Sequence, residues 1–112
     1  MWRGKMYIKY DDVELLEFFE CEPVTIGEYE AGNWMYTYQN NNFKFVVFIS
    51  IYEMYIEVSI LFQDKLVYCQ KHSNVSKIEK VDADNMRVSV GKEKDIILKK
   101  APQIGVIVEE FA

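Results

Sequence analysis

Residues 43–62 have the sequence FKFVVFISIYEMYIEVSILF, and this stretch decides the fold. Apolar side chains recur at every second position in both halves, which is the period of a β-strand. The first half, 43–51, has these apolar side chains on one face: Phe43, Phe45, Val47, Ile49 and Ile51. Its other face is only half polar, which predicts a central strand covered on both sides. The second half, 55–62, has a matching inward set: Ile56, Val58, Ile60 and Phe62.

The sequence before this hairpin predicts one short helix. Two aspartates at 11–12 offer an N-cap, and Pro23 closes a helix of about ten residues. The helical spacing of residues 13–19, VELLEFF, predicts an inward set of Leu15, Leu16 and Phe19. A helix this short needs a sheet beneath it to persist.

Further strands are predicted on both sides of the hairpin. Strong patterns occur at 34–39, 66–71, 86–90, 96–100 and 104–109, and weaker ones at 4–10 and 24–30. Turns are predicted at 31–33, 40–42, 63–65, 82–85 and 91–95. The fold class expected is therefore α+β, mostly β: an antiparallel meander sheet of about 6–8 strands with one short N-terminal helix packed on it. A length of 112 residues suits a single globular domain spanning 1–112.

The charges are distributed unevenly. The formal net charge is −5, but residues 11–63 carry ten acids against the single base Lys44. The segment 11–30 alone has eight carboxylates and no base, whereas residues 64–112 are nearly balanced. Such a field attracts basic partners and accelerates association with them. The alternative interpretation is that the carboxylates only keep the surface soluble.

The candidate chemical motifs are incomplete. Cys69 and His72 form a Cys-x-x-His pair, but a structural zinc site needs four ligands, and Cys21 is the only other thiol. We expect Cys69 to point inward on a strand and His72 to lie solvated in the loop that follows. Residues 82–85, DADN, resemble the start of a calcium loop but lack its glycine, so a reverse turn is expected there. We predict no metal and no cofactor.

Other function classes are disfavoured on composition. No phosphate loop, nucleophile elbow or facing carboxylate pair is present, so we do not predict an enzyme. The acidic first half would repel a phosphate backbone, which argues against nucleic-acid binding. No apolar run is long enough to span a membrane, and the N-terminus lacks the apolar core of a signal peptide. The expected location is the cytoplasm, where Cys21 and Cys69 would be free thiols.

Three segments resemble small immunity-type proteins of bacterial toxin systems. They are the core hairpin FISIYEMYIEVSI, the later NVSKIEK and the closing IGVIVEE strand, in a chain that also has a short acidic helix. The resemblance implies a non-catalytic inhibitor that binds a cognate toxin, often a basic nuclease. Phage-encoded inhibitors of host defence have the same features.

The functional hypothesis is a small inhibitor, of the immunity or anti-defence type, that binds a basic protein through an acidic face. The residues expected to contact the partner are Asp11, Asp12, Glu14, Glu17, Glu20, Glu22, Glu28, Glu30, Trp34 and Tyr36. The alternative is a structural or self-associating β domain, such as a phage or assembly component, that forms homo-oligomers through strand edges. A small-molecule pocket under the helix is a third hypothesis.

Overall fold

The computed structural model describes residues 6–111, which form one α-helix and two antiparallel sheets. The helix α1 spans Asp12–Phe19, and a short 3-10 helix spans Tyr29–Ala31. The five-stranded sheet has the order β1-β2-β3-β4-β5 and comprises Val24–Thr25, Asn33–Asn40, Phe43–Ser50, Tyr55–Phe62 and Lys65–His72. The four-stranded sheet has the order β6-β7-β8-β9 and comprises Val75–Asp82, Asn85–Val90, Lys94–Lys99 and Gly105–Glu110.

The core hairpin forms as predicted. Strands β3 and β4 are paired so that inward residues lie opposite one another, as with Val47 and Val58. The predicted inward residues are buried except at the open end of the hairpin, where Phe43 and Phe62 pack together with ring centroids 4.9 Å apart. The prediction that β3 is covered on both sides is wrong. Its outer face is half-buried by side chains of the same sheet, such as Phe48 against Tyr55.

The helix α1 begins as predicted but ends earlier. The Asp11 carboxylate accepts hydrogen bonds from the backbone amides of Val13 (2.8 Å) and Glu14 (3.2 Å), which satisfies two free donors of the first turn. Glu20 takes a left-handed conformation with φ 58°, so the helix stops at Phe19 rather than at the proline. The inward set is Leu15, Phe18 and Phe19, whereas Leu16, predicted inward, is exposed beside the sheet.

The N-terminal segment joins the two sheets instead of forming a strand. Residues 4 and 5 of the predicted strand 4–10 lie outside the described residues. The rest makes one isolated parallel bridge, between Lys9 and Lys77 of β6. One residue earlier, the Ile8 amide donates to the carbonyl of Ile51, in the turn that follows β3 of the first sheet, and the Ile8 side chain is fully buried.

The expectations for Cys69 and His72 are reversed. A register shift between Ile60 and Leu61 inserts one extra residue into β5, which turns the later side chains to the opposite face. Cys69 is therefore exposed, while His72 lies at the end of β5 opposite Ile56 and is buried. Burial, followed by the nearby charge of Lys94, lowers the pKa of His72 below its ordinary value.

The fold class is confirmed as mostly-β α+β with an N-terminal helix, although residues 6–111 form nine strands in two sheets rather than six to eight in one. The split occurs after β5, where Asn74 adopts φ 60° and β6 turns away. The Val75 amide then bonds to Met54 in the turn between β3 and β4. Residues 75–82, for which no strand was predicted, form β6. One buried hydrophobic cluster contains side chains of both sheets and of α1.

Lys100 fastens the end of α1 to the second sheet. It follows β8 and is buried, and its ammonium donates to the carbonyl of Phe18 (2.7 Å) and to the carboxylate of Glu20 (2.9 Å). The ammonium also lies 4.6 Å from the centre of the Tyr38 ring. A cation at the carboxyl end of a helix is favourably placed in the helix dipole. Within residues 6–111, no helix is long and apolar enough to cross a membrane.

Candidate partner-binding groove

A groove of about 430 Å³ lies between α1 and the first strands of the five-stranded sheet. Three kinds of side chain line it: carboxylates, aliphatic groups and aromatic rings. We call it the acidic groove. Its lining residues are Asp12, Val13, Leu16, Glu22, Pro23, Thr25, Tyr29, Trp34 and Tyr36.

The local fold explains why these side chains meet. The first turns of α1 bury one side against the sheet, which leaves Val13 and Leu16 exposed on the other. The two residues of β1 pair with Met35 and Trp34 of β2. The segment that follows the helix therefore runs alongside the same part of β2 as the helix. The groove is the space enclosed by these segments.

Trp34 and Tyr36 lie on the core side of β2 and form the buried part of the groove. Trp34 is 8% exposed and Tyr36 is 2% exposed. The Tyr36 ring stacks on Phe19 with centroids 4.8 Å apart, and Trp34 meets Tyr10 edge-on at 5.4 Å. Burial, and next the charge of Asp12, raise the pKa of Tyr36 above its ordinary value. The sequence hypothesis named both aromatics as partner contacts, and the structure leaves only a small part of each accessible.

Four of the eight carboxylates in segment 11–30 are used by the fold itself. Asp11 caps the helix. Glu14 accepts the backbone amide of Lys80 in β6 at 2.9 Å, and Glu17 pairs with the ammonium of that lysine at 3.1 Å. Glu20 pairs with Lys100. The contacts of Glu14, Glu17 and Glu20 hold α1 to the second sheet, and the two lysines neutralise Glu17 and Glu20.

The other four carboxylates have no such contact. Within the part of the chain that the structure describes, the side chains of Asp12, Glu22, Glu28 and Glu30 make no ion pair and no hydrogen bond. All four are exposed. Asp12 and Glu22 line the acidic groove, whereas Glu28 lies outside it. Within segment 11–30, the negative charge available to a partner therefore lies at the groove and at the 3-10 helix beside it.

A smaller pocket of about 230 Å³ adjoins the acidic groove. We call it the side pocket. Tyr29 and Trp34 line both cavities, with ring centroids 6.3 Å apart and planes inclined at 40°. Glu30 lines the side pocket together with residues of the β3–β4 turn. Gly32 closes its base, because a Cβ there would lie 2.9 Å from the Tyr52 ring.

The sequence hypothesis missed the apolar part of this site. Val13 and Leu16 are ordinary apolar residues of a helix, and the helical period placed Leu16 in the core. Tyr29 carried a usable signal, since it is an aromatic residue between two glutamates in a segment with weak strand pattern. Among the described residues, no group of three or more His, Cys, Asp or Glu side chains could hold a metal ion.

No protein-family model and no curated protein matches the sequence. One solved structure is similar in fold: a chain of a "Contact-dependent growth inhibition toxin - immunity protein complex from Klebsiella pneumoniae 342". The two chains superpose with a TM-score of 0.79 at 21% sequence identity. The match covers 95% of this chain and 100% of that one. The likeness establishes a shared fold, and it agrees with the resemblance to immunity-type proteins drawn from the sequence.

Proposed function

We propose that this chain is a non-catalytic protein-binding module of the immunity type, which blocks a basic toxin protein by binding it through the acidic groove. The observation that carries the proposal is the groove itself: carboxylates that make no ion pair with a described residue line it together with buried aromatic rings, on a chain with the fold of a protein from a toxin–immunity complex. Of the two roles named in that complex, the groove favours the immunity role, because its charge and contact area suit the binding of a protein partner.

The composition of the groove suits a protein partner. Interface hot spots are enriched in aromatic residues set in desolvated pockets, and Trp34 has that setting, with the exposed ring of Tyr29 beside it. Carboxylates at the rim, such as Asp12 and Glu22, steer a basic partner toward the pocket and suppress wrong partners. A toxin that acts on nucleic acid carries the complementary positive charge. We further propose a cytoplasmic site of action, which suits the two free thiols, Cys21 and Cys69.

The direct test uses the product of the neighbouring gene. The carboxyl-terminal part of that product would be expressed in a bacterial host with and without this chain, and growth would be measured. We expect growth arrest without the chain and rescue with it. Rescue should fail for the double variant Asp12→Lys/Glu22→Lys and persist for the control Glu109→Lys/Glu110→Lys, whose charges lie on β9 away from the groove. Rescue by both double variants would contradict the proposal.

Self-association is a second candidate function, and exposed strand edges favour it. Strand β5 is an eight-residue edge strand with Leu66 and Val67 largely exposed, and β9 is the edge of the other sheet with Ile107 and Val108 about half exposed. Such edges can pair with another copy. Light scattering over a range of concentrations tests this function: growth in mass that Val67→Lys abolishes would support it, and a constant monomer mass would exclude it.

A further inference from the structure

We propose that the acidic groove and the side pocket each accept one arginine side chain, so that the partner is recognised by two neighbouring arginines on its surface. This inference rests on the proposed function and adds the chemical identity of the groups that are bound. It is carried by three observations: the division of the site into two pockets, the absence of cations among the described residues that line them, and the hydroxyl of Tyr36, which makes no hydrogen bond with a described residue.

The pair formed by Tyr29 and Trp34 divides the site. Tyr29 is 70% exposed and stands at the surface, whereas Trp34 is almost fully buried beneath it. One side of this pair opens into the groove of about 430 Å³ and the other into the side pocket of about 230 Å³. Each cavity has room for one long side chain, and Tyr29 and Trp34 line both cavities.

The charges of the two pockets match two cations. Asp12 and Glu22 line the acidic groove and Glu30 lines the side pocket, and none of the three is neutralised by a residue in 6–111. No lysine, arginine or histidine of the described chain lines either cavity. This contrasts with Glu17 and Glu20 on the neighbouring turn of the helix, which are already paired with lysines.

The hydroxyl of Tyr36 is a further polar group that a ligand in the acidic groove can reach. The Tyr36 side chain lines the acidic groove, and the residue is only 2% exposed. Its hydroxyl makes no hydrogen bond with any described residue. The hydroxyl itself is not among the fully enclosed polar atoms of the described chain, so it is accessible from the groove. A donor arriving in the groove would satisfy the hydroxyl oxygen, and guanidinium offers several N–H donors at once.

The aromatic linings favour arginine over lysine. Guanidinium is planar and weakly hydrated, so it stacks on an aromatic face while its edge binds a carboxylate through two parallel hydrogen bonds. Trp34 and Tyr29 supply the faces, and Asp12 and Glu30 supply carboxylates on the two sides of the divide. An ammonium ion is a compact, strongly hydrated charge that gains less from such a setting.

The experiment uses the full chain, labelled with ¹⁵N, in a Trp2→Phe background so that Trp34 provides the one indole N–H signal. The probes are blocked tetrapeptides: Gly-Arg-Arg-Gly, Gly-Lys-Lys-Gly, Gly-Arg-Gly-Gly and Gly-Glu-Glu-Gly. We expect saturable shifts of the indole signal with Gly-Arg-Arg-Gly and no response to Gly-Glu-Glu-Gly. The dilysine and single-arginine peptides should each bind roughly tenfold more weakly, because one stacked, paired cation contributes about that factor.

Single substitutions test the assignment of the two pockets. Asp12→Asn and Glu30→Gln should each weaken Gly-Arg-Arg-Gly binding by roughly tenfold, whereas the matched control Glu57→Gln, on the opposite face of β4, should not. The dispersion of the amide spectrum reports that each variant is folded. Equal affinity for the diarginine and dilysine peptides would overturn the inference. Unchanged affinity in both Asp12→Asn and Glu30→Gln would overturn it as well.

The outcomes separate this inference from the proposed function. If the chain rescues growth in a groove-dependent way but does not bind the diarginine peptide, the two-arginine recognition is wrong and the immunity role stands. If the peptide binds at the groove but no rescue is seen, the pocket assignment stands and the proposed function is wrong.

Discussion

Replacement of Lys100 by methionine tests the contact that holds α1 to the second sheet. The Lys100 side chain is 7% exposed, and its ammonium donates to the Phe18 carbonyl at 2.7 Å and to Glu20 at 2.9 Å. Methionine keeps the length and apolar stem of the side chain but removes the charge and every donor. The Phe18 carbonyl, at the end of the helix, then loses its hydrogen-bond donor in a buried position.

The expected loss in the free energy of unfolding is about 2 kcal/mol. A hydrogen bond from a charged donor contributes about 1.5–3 kcal/mol, and the contact with the Tyr38 ring adds roughly 0.5–1 kcal/mol. The ion pair with Glu20 adds less than ~0.5 kcal/mol, because that carboxylate is 62% exposed and screened by solvent. Methionine recovers part of the total, since no ammonium is then taken out of water.

Urea unfolding followed by circular dichroism measures this loss, with the slope of the transition held as a check on two-state behaviour. The matched control is Lys99→Met, on the neighbouring residue, for which no ion pair is found among the described residues. A midpoint temperature lower by ~8 °C should accompany the loss in Lys100→Met. Glu20→Gln should cost under ~0.5 kcal/mol. If the free energies of unfolding of Lys100→Met and Lys99→Met differ by less than ~0.5 kcal/mol, the role assigned to Lys100 is wrong.

Three further predictions concern the helix and the buried histidine. Glu14→Ala should lower the free energy of unfolding by about 1–2 kcal/mol, because the Lys80 amide of β6 loses its acceptor. Glu17→Ala should lower it by less than ~0.5 kcal/mol in the same urea assay. Equal losses in the two variants would contradict this assignment. Asp11→Ala should cost about 1 kcal/mol through loss of the N-cap, and Asp11→Asn much less. The pKa of His72 is lowered by burial and by Lys94, so the unfolded chain binds the proton more tightly. The stability contributed by neutral His72 is complete above pH 6.5 and decreases as the pH falls below that value. When the pH is lowered from 6.5, the free energy of unfolding of His72→Gln should therefore decrease less than that of the unsubstituted chain.

The sequence was sufficient for local features whose signal lies within a few residues. The hairpin of β3 and β4 follows from alternation, since one face of a strand must be buried. The Asp11 cap and the hairpin of β7 and β8 follow from short-range turn and cap chemistry. The fold class followed because strand alternation and turn residues recur along the chain.

Errors arose where a distant segment or a single inserted residue decided the outcome. The extra residue in β5 reversed Cys69 and His72, because the side-chain period of a strand is two. Leu16 satisfies the helical period as well as Phe18 does, and only the position of β2 beneath the helix selects between them.

The sequence by itself determined that the excess negative charge lies in residues 11–63 and is densest in 11–30. Only the tertiary structure decided which of those carboxylates a partner can reach. Lys80 and Lys100, more than 60 residues away along the chain, neutralise Glu17 and Glu20, while Asp12, Glu22 and Glu30 face two pockets lined by aromatic rings. The physical reason is that charge density is a property of composition, whereas pairing and solvent access depend on which distant segments the fold brings together.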